Sequence, residues 1–227
     1  MLRSDFLQWL IDCKHWLDSP ALRAFGGQPA SWAEVIGFVL GVGSTGYGAV
    51  ESPWCWPFSI ANNVVWIPLF FTAGLYADTS LQFVYAVLGA IGLWHWATGR
   101  AAARGKLPVT RTPQWEWHLQ ALLLAVGTWW LWAVLVHVHD SAPFLDAFTS
   151  VFSIIAMWAQ VRKYIETWPL WVAIDFVYIP LYIHKGLMLT AALTVVFLAF
   201  AVWGWAVWHR SLLRDSAEPA KPAAVFA

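Results

Sequence analysis

The stretch Trp56-Pro-Phe-Ser-Ile-Ala-Asn-Asn-Val-Val-Trp-Ile-Pro-Leu-Phe-Phe-Thr-Ala-Gly-Leu75 returns as Trp168-Pro-Leu-Trp-Val-Ala-Ile-Asp-Phe-Val-Tyr-Ile-Pro-Leu-Tyr-Ile-His-Lys-Gly-Leu187. The offset of 112 continues without a gap to Trp96 and Trp208, and 13 of the 41 paired positions are identical, so the chain is a duplication. Both copies are apolar throughout. Two like apolar halves are the pattern of membrane carriers, which place the substrate site between the halves near the bilayer midplane. At the same offset Glu34 meets Asp146 and Val39 meets Val151, so the repeated unit reaches back by one more apolar segment.

Composition agrees. Of the 227 residues only 11% are charged and 60% are hydrophobic, against about 25% charged in soluble domains, which argues against a water-soluble fold. Net charge is zero, so no basic surface points to nucleic acid. Cys13 and Cys55 have no metal-ligand spacing and read as free thiols. Asp5, Asp12 and Lys14 break the first apolar run and no small-residue cleavage site follows, unlike a cleaved signal peptide.

A hydrocarbon core about 30 Å thick needs about 20 apolar residues per helix. Seven stretches answer to this: Trp32 to Val50, Trp54 to Ala73, Thr79 to Ala97, Trp115 to His137, Pro143 to Gln160, Trp168 to His184 and Met188 to Trp208. Phe6, Leu7, Leu10, Ile11, Trp16 and Leu17 recur at helical spacing with charges between them, an amphipathic segment expected to lie at the interface. A three-helix unit reverses the direction of the chain, and the fourth helix restores it before the second copy begins. The expected fold is therefore an all-α membrane protein of seven transmembrane helices, two parallel three-helix repeats joined by a linker helix in the order three, one, three. In residues, 1–31 form the interfacial segment, 32–97 the first repeat, 98–138 a cytoplasmic loop and the linker helix, 139–209 the second repeat and 210–227 a disordered cytoplasmic tail. Nine of the thirteen cations, Arg100, Arg104, Lys106, Arg111, Arg162, Lys163, Arg210, Arg214 and Lys221, fall on one side, which places the C-terminus in the cytoplasm.

Trp171, Asp175, Tyr178 and Tyr182 are spaced four, three and four along one face of the sixth helix; their partners on the second are Ser59, Asn63, Trp66 and Phe70. An ionisable group within a membrane costs at least about 2.5 kcal/mol, so Asp175 is expected to face protein or a wet cavity. Either it serves a substrate or it pairs with a neighbouring helix for folding. An aromatic wall of Trp66 and Trp171 beside a carboxylate suits a flat cation. Gln82 needs a partner in mid-membrane, either a ligand or the next helix. Gly89 and Gly92 beside it, like Ala201 and Gly204 in the copy, read as close helix packing. Pro68 and Pro180 sit at matching positions inside their helices and each leaves a carbonyl unpaired, so they are hinges for alternating access or static bends. Trp54, Trp56, Trp94, Trp96, Trp115, Trp117, Trp168, Trp203, Trp205 and Trp208 lie near helix ends and are assigned to the interfacial belt.

His137, His139 and Asp140 stand together at a helix end without a partner cluster in the sequence, so no metal site is expected. No nucleotide-binding loop and no nucleophile motif appears, and neither enzyme activity nor a cofactor is expected. Asp175 lacks a carboxylate–histidine relay of the kind used by proton-driven pumps, which favours facilitated diffusion.

The segments Trp54-Cys-Trp-Pro57, Phe71-Thr-Ala-Gly-Leu-Tyr-Ala-Asp-Thr-Ser-Leu-Gln82 and Asp175-Phe-Val-Tyr-Ile-Pro-Leu-Tyr-Ile-His-Lys-Gly-Leu187 together resemble the PnuC family of bacterial vitamin transporters, over about Trp32 to Trp208. The resemblance implies seven helices in the three-one-three order, a fold related to the sugar-transporting SWEET proteins, and a homotrimer in the inner membrane. It also implies uptake of nicotinamide riboside by facilitated diffusion, with a cytoplasmic kinase trapping the product. Some members carry thiamine or riboflavin instead. On this reading Asn63, Trp66, Gln82, Trp171, Asp175, Tyr178 and Tyr182 line the substrate cavity and Pro68 and Pro180 are hinges. The alternatives are a membrane protein holding haem or quinone through its terminal histidines, and a sugar carrier on the same fold.

Overall fold

The computed structural model describes residues 19–23, 29–72, 76–102, 107–138, 142–184 and 188–217. Seven helices stand among them: α1 (Trp32–Ala49), α2 (Cys55–Thr72), α3 (Tyr76–Ala102), α4 (Gln114–His137), α5 (Pro143–Val161), α6 (Thr167–His184) and α7 (Met188–Ala217). A short antiparallel pair, β1 (Pro20–Arg23) with β2 (Pro29–Ser31), precedes them and was not expected from the sequence. The amphipathic run around Phe6 to Leu17, with Cys13, lies outside the described residues, as do His139, Asp140 and residues 218–227. α7 runs on to Ala217, so 210–217, given to the tail by sequence, are helical. α4, α5 and the Ala191–Arg214 part of α7 are long and apolar enough to span a membrane; Val35–Ala49 is a shorter apolar helix.

Helix starts and stops follow local chemistry. α4 begins after Pro113, and α5 has Pro143 in its first turn, where a missing N–H costs nothing. α1 and α5 end alike. Glu51 (φ 59°) and Lys163 (φ 60°) take the left-handed conformation just past them, and Ser52 N donates to Tyr47 O (2.8 Å) as Tyr164 N does to Ala159 O (2.8 Å). Glycine usually holds that place, and a side chain there costs about 1–2 kcal/mol.

α1 packs on α2 and α7, α2 on α3, α3 on α5, α5 on α6, and α6 on α7, while α4 rests on α5. Small residues make the closest approaches. A Cβ on Gly92 would meet the Trp56 ring at 2.5 Å, and one on Gly204 would meet the Trp168 ring at 2.5 Å, 112 positions on. The helix-packing role read for these two glycines is thus met by indole rings lying on them.

Four tryptophans leave the belt assigned to them. Trp56, Trp96, Trp168 and Trp208 are buried in one cluster at the end where α1 and α5 stop. Trp56 meets Trp96 edge-on (5.5 Å, 90°) and Trp168 meets Trp208 the same way (5.3 Å, 89°). Trp96 Nε1 donates to Val161 O (3.1 Å) and Trp208 Nε1 to Gly48 O (3.0 Å), satisfying carbonyls of the last turns of α5 and α1. These helix ends converge on one another instead of facing lipid. Trp54, Trp94 and Trp115, by contrast, are 62–67% exposed, as belt residues should be.

Residues 107–113 tie this end together. Thr110 bridges Tyr164 in parallel, with Ile165 N donating to Thr110 O (2.9 Å), and Thr112 gives its N–H (3.0 Å) and hydroxyl (2.9 Å) to Glu166 Oε2. Tyr164 donates to Glu116 Oε1 (2.9 Å); burial pushes its hydroxyl above the usual phenol range, against the pull of the Arg162 guanidinium.

Candidate functional site

One cavity of about 280 Å³ opens between α1, α2, α3, α5, α6 and α7. Its walls come in pairs 112 positions apart: Trp56 with Trp168, Ser59 with Trp171, Asn63 with Asp175, Tyr85 with Phe197, and Thr45 with Met157. Gly41, Ser44, Asn62, Gln160 and Ala201 complete it. No lysine, arginine or histidine is among these lining residues.

Of the residues read from the sequence, Asn63, Trp171 and Asp175 meet here. Asn63 is 4% and Asp175 7% exposed, although both lie well inside their helices. Among the described residues Asn63 Nδ2 has no hydrogen-bond partner, nor do the indole N–H groups of Trp56 and Trp168; all three atoms are packed against protein. The Asp175 carboxylate has no ion-pair partner among the described residues. Asp175 is thus a buried acid on the wall of a cavity that offers it no cation among the described residues.

Trp66, Gln82 and Tyr178 lie off the cavity, and the side chain of Tyr182 is outside the described residues. Trp66 is three residues beyond Asn63 on α2, Tyr178 three beyond Asp175 on α6, and Gln82 three before Tyr85 on the returning α3. All three are displaced toward the same end. The cavity therefore sits about one turn, some 5.4 Å, nearer to the starts of α2 and α6 than the stripes suggest. Trp66 instead covers α1, where a Cβ on Gly37 would meet its ring nitrogen at 2.8 Å. Its Nε1 donates to Asn62 Oδ1 (3.1 Å), which orients the amide of that cavity residue. Pro68 and Pro180 stand inside α2 and α6, which continue as helices past them.

Residues 31–210 match the family described as nicotinamide mononucleotide transporter. The chain belongs to that family. Among its relatives are the riboflavin/roseoflavin transporter RibM of Streptomyces davaonensis, 30% identical over 89% of this chain and 95% of that protein, and the nicotinamide riboside transporter PnuC of Escherichia coli, 25% identical over 82% and 88%. The crystal structure of the vitamin B3 transporter PnuC superposes with a TM-score of 0.67 over 81% of this chain and 83% of that one, at 22% identity, and so has the same fold. The resemblance to the PnuC family drawn from sequence holds.

Within this PnuC-family cavity, sequence reasoning passed over Trp56, Trp168, Tyr85, Phe197 and Gln160. Four of these had a signal. Trp56 and Trp168 are each other's copies, as are Tyr85 and Phe197, and residues facing a site between two halves recur in both. Gln160 had none, because its copy is Gly48, whose missing side chain leaves the space that the Gln160 amide occupies at 3.2 Å from a built Cβ.

Proposed function

We propose that this protein is a facilitative carrier for nicotinamide riboside in the inner membrane, working by alternating access, with a cytoplasmic kinase trapping the vitamin as its phosphate. Asp175 carries this reading: a buried carboxylate, without a cationic partner among the described residues, in a cavity walled by Trp56, Trp168 and Trp171. The pyridinium ring of nicotinamide riboside is a flat cation that answers to both features. Asn62, Asn63 and Gln160 among the lining residues are polar partners for its ribose and carboxamide. A phosphorylated nucleotide fits poorly, since a dianion would face a carboxylate and no lining cation.

The paired lining residues and the exchanged contacts, α1 on α7 and α5 on α3, support two parallel three-helix repeats joined by α4. Pro68 and Pro180 are assigned as their hinges. Trp66, Gln82 and Tyr178, one turn further out, are assigned to the route between the cavity and the far face. The trimer and the cytoplasmic C-terminus are part of the same reading; Lys163, one of the cations that argued for the orientation, is buried, and the remaining eight sustain it.

Riboflavin is the second reading, favoured by the 30% identity to a riboflavin/roseoflavin transporter. Riboflavin is neutral and has three fused rings, whereas the cavity of about 280 Å³ lies just below the roughly 300–1,000 Å³ usual for ligand sites. Titrating the purified protein with nicotinamide riboside, thiamine and riboflavin, followed by quenching of tryptophan fluorescence, decides between them. The expected order of affinity is the order just given. Tightest binding of riboflavin overturns the assignment.

A further inference from the structure

Glu51 and Lys163 are 112 positions apart, so they are the same position in the two copies, and both hold a left-handed backbone where glycine is the ordinary choice. They point at each other. Lys163 Nζ lies 2.8 Å from Glu51 Oε2, with both side chains 1% exposed. Lys163 also donates to the Leu107 carbonyl, and Ser211 Oγ donates to Glu51 Oε1 (2.5 Å). The ammonium sits 5.1 Å from the Trp96 ring centre and 5.9 Å from that of Trp208. Those indoles stand edge-on to Trp56 and Trp168, which line the cavity. Cavity, first tryptophan pair, second tryptophan pair and ion pair thus form one column between the turn after α1 and the turn after α5.

We propose that the Glu51–Lys163 pair is the latch of the gate beneath the cavity, closing this end when formed and parting each time cargo leaves through it; this rests on the carrier reading above. A path from the cavity to this end parts the two halves where Trp96 meets Trp208 (5.9 Å, 49°), and with them the two turns that carry Glu51 and Lys163. The chemistry suits a reversible closure. An apolar pair in the same place would hold the end shut, since its surface gains nothing from water. A buried ion pair is near break-even, because the desolvation of each partner offsets most of their attraction, and both recover hydration when the end opens. Two states of similar free energy are what a carrier needs. The strained backbone points the same way, because a left-handed non-glycine residue persists where its side chain is used.

Cys55, fully buried in the same tryptophan cluster at the start of α2, is a native reporter of opening. With Cys13→Ser as background and the full chain in lipid nanodiscs, the rate of Cys55 modification by a water-soluble maleimide reads the open fraction. Glu51→Gln, which leaves the Lys163 ammonium buried without its counter-charge, is expected to raise that rate by about tenfold or more, and Glu51→Leu combined with Lys163→Met, an apolar pair, to lower it by about as much. The double variant leaves neither a buried charge nor a large void and keeps the end testable if the single one misfolds. Wild-type modification rates in the folded double variant overturn the latch, as does failure of both variants to fold, which makes the pair a folding device. In the double variant, a melting temperature that drops together with a faster rate also overturns it, since local unfolding then explains the access. The measurement needs no ligand, so absence of vitamin binding by the wild type refutes the carrier assignment separately.

Discussion

Replacing Asp175 by asparagine keeps the size and hydrogen-bonding shape of the side chain and removes its charge. Asp175 is 7% exposed and lines an aromatic cavity that contains no cation among the described residues, so in the complex its charge is answered by cargo alone. A hydrogen bond or contact to such a charged group is worth about 1.5–3 kcal/mol, and at about 1.4 kcal/mol per decade the variant should bind nicotinamide riboside roughly ten- to a hundredfold more weakly. The fold should persist, because no ion pair is broken. Isothermal titration of wild type and variant against nicotinamide riboside and riboflavin, each with a thermal melt, reads both quantities. The cationic ligand should lose affinity and the neutral one should change by about threefold at most. Equal losses for both ligands refute a charge contact, and unchanged affinity for both returns Asp175 to the status of a structural acid. Trp94→Ala, exposed on the outer face of α3, is the control for tryptophan content.

Gly92→Ala and Gly204→Ala should each destabilise the protein by about 1–3 kcal/mol, since the new Cβ meets an indole ring at 2.5 Å, whereas Gly46→Ala, with only Phe200 at 3.5 Å, should be neutral; equal melting temperatures for all three refute the packing account. Trp66→Phe removes the hydrogen bond that orients the Asn62 amide, worth about 1 kcal/mol, so binding should weaken by about fivefold; a loss as large as that of Asp175→Asn places Trp66 against the ligand itself. Proteoliposomes should equilibrate labelled nicotinamide riboside without an ion gradient, and accumulation above the outside concentration on imposing a proton or sodium gradient overturns facilitated diffusion.

The 112-residue offset, the apolar segments that became α1 to α7, and the pairing of Asn63 with Asp175 were legible in the sequence by itself, because hydropathy and an ungapped offset are properties of the chain alone. Family membership was legible too, through motifs that need no coordinates. Three things waited for the tertiary structure. The height of the cavity was one: a helical stripe gives the angle of a residue about its own axis and says nothing of which turn faces which turn of the neighbouring helix. Trp66, Gln82 and Tyr178 share a stripe with cavity residues and still fall one turn away. The role of the tryptophans was the second, since lipid and protein interior are equally apolar and a tryptophan near a helix end satisfies either; only the convergence of the ends of α1 and α5 buries Trp96 and Trp208 while Trp94 stays outside. The third was the Glu51–Lys163 pair. In the sequence they are two charges in two loops, and Lys163 counts as one more cation on its side of the membrane. Their meeting depends on the packing of six helices, because an ion pair is specified by distance in space and these partners are separated by a whole repeat along the chain.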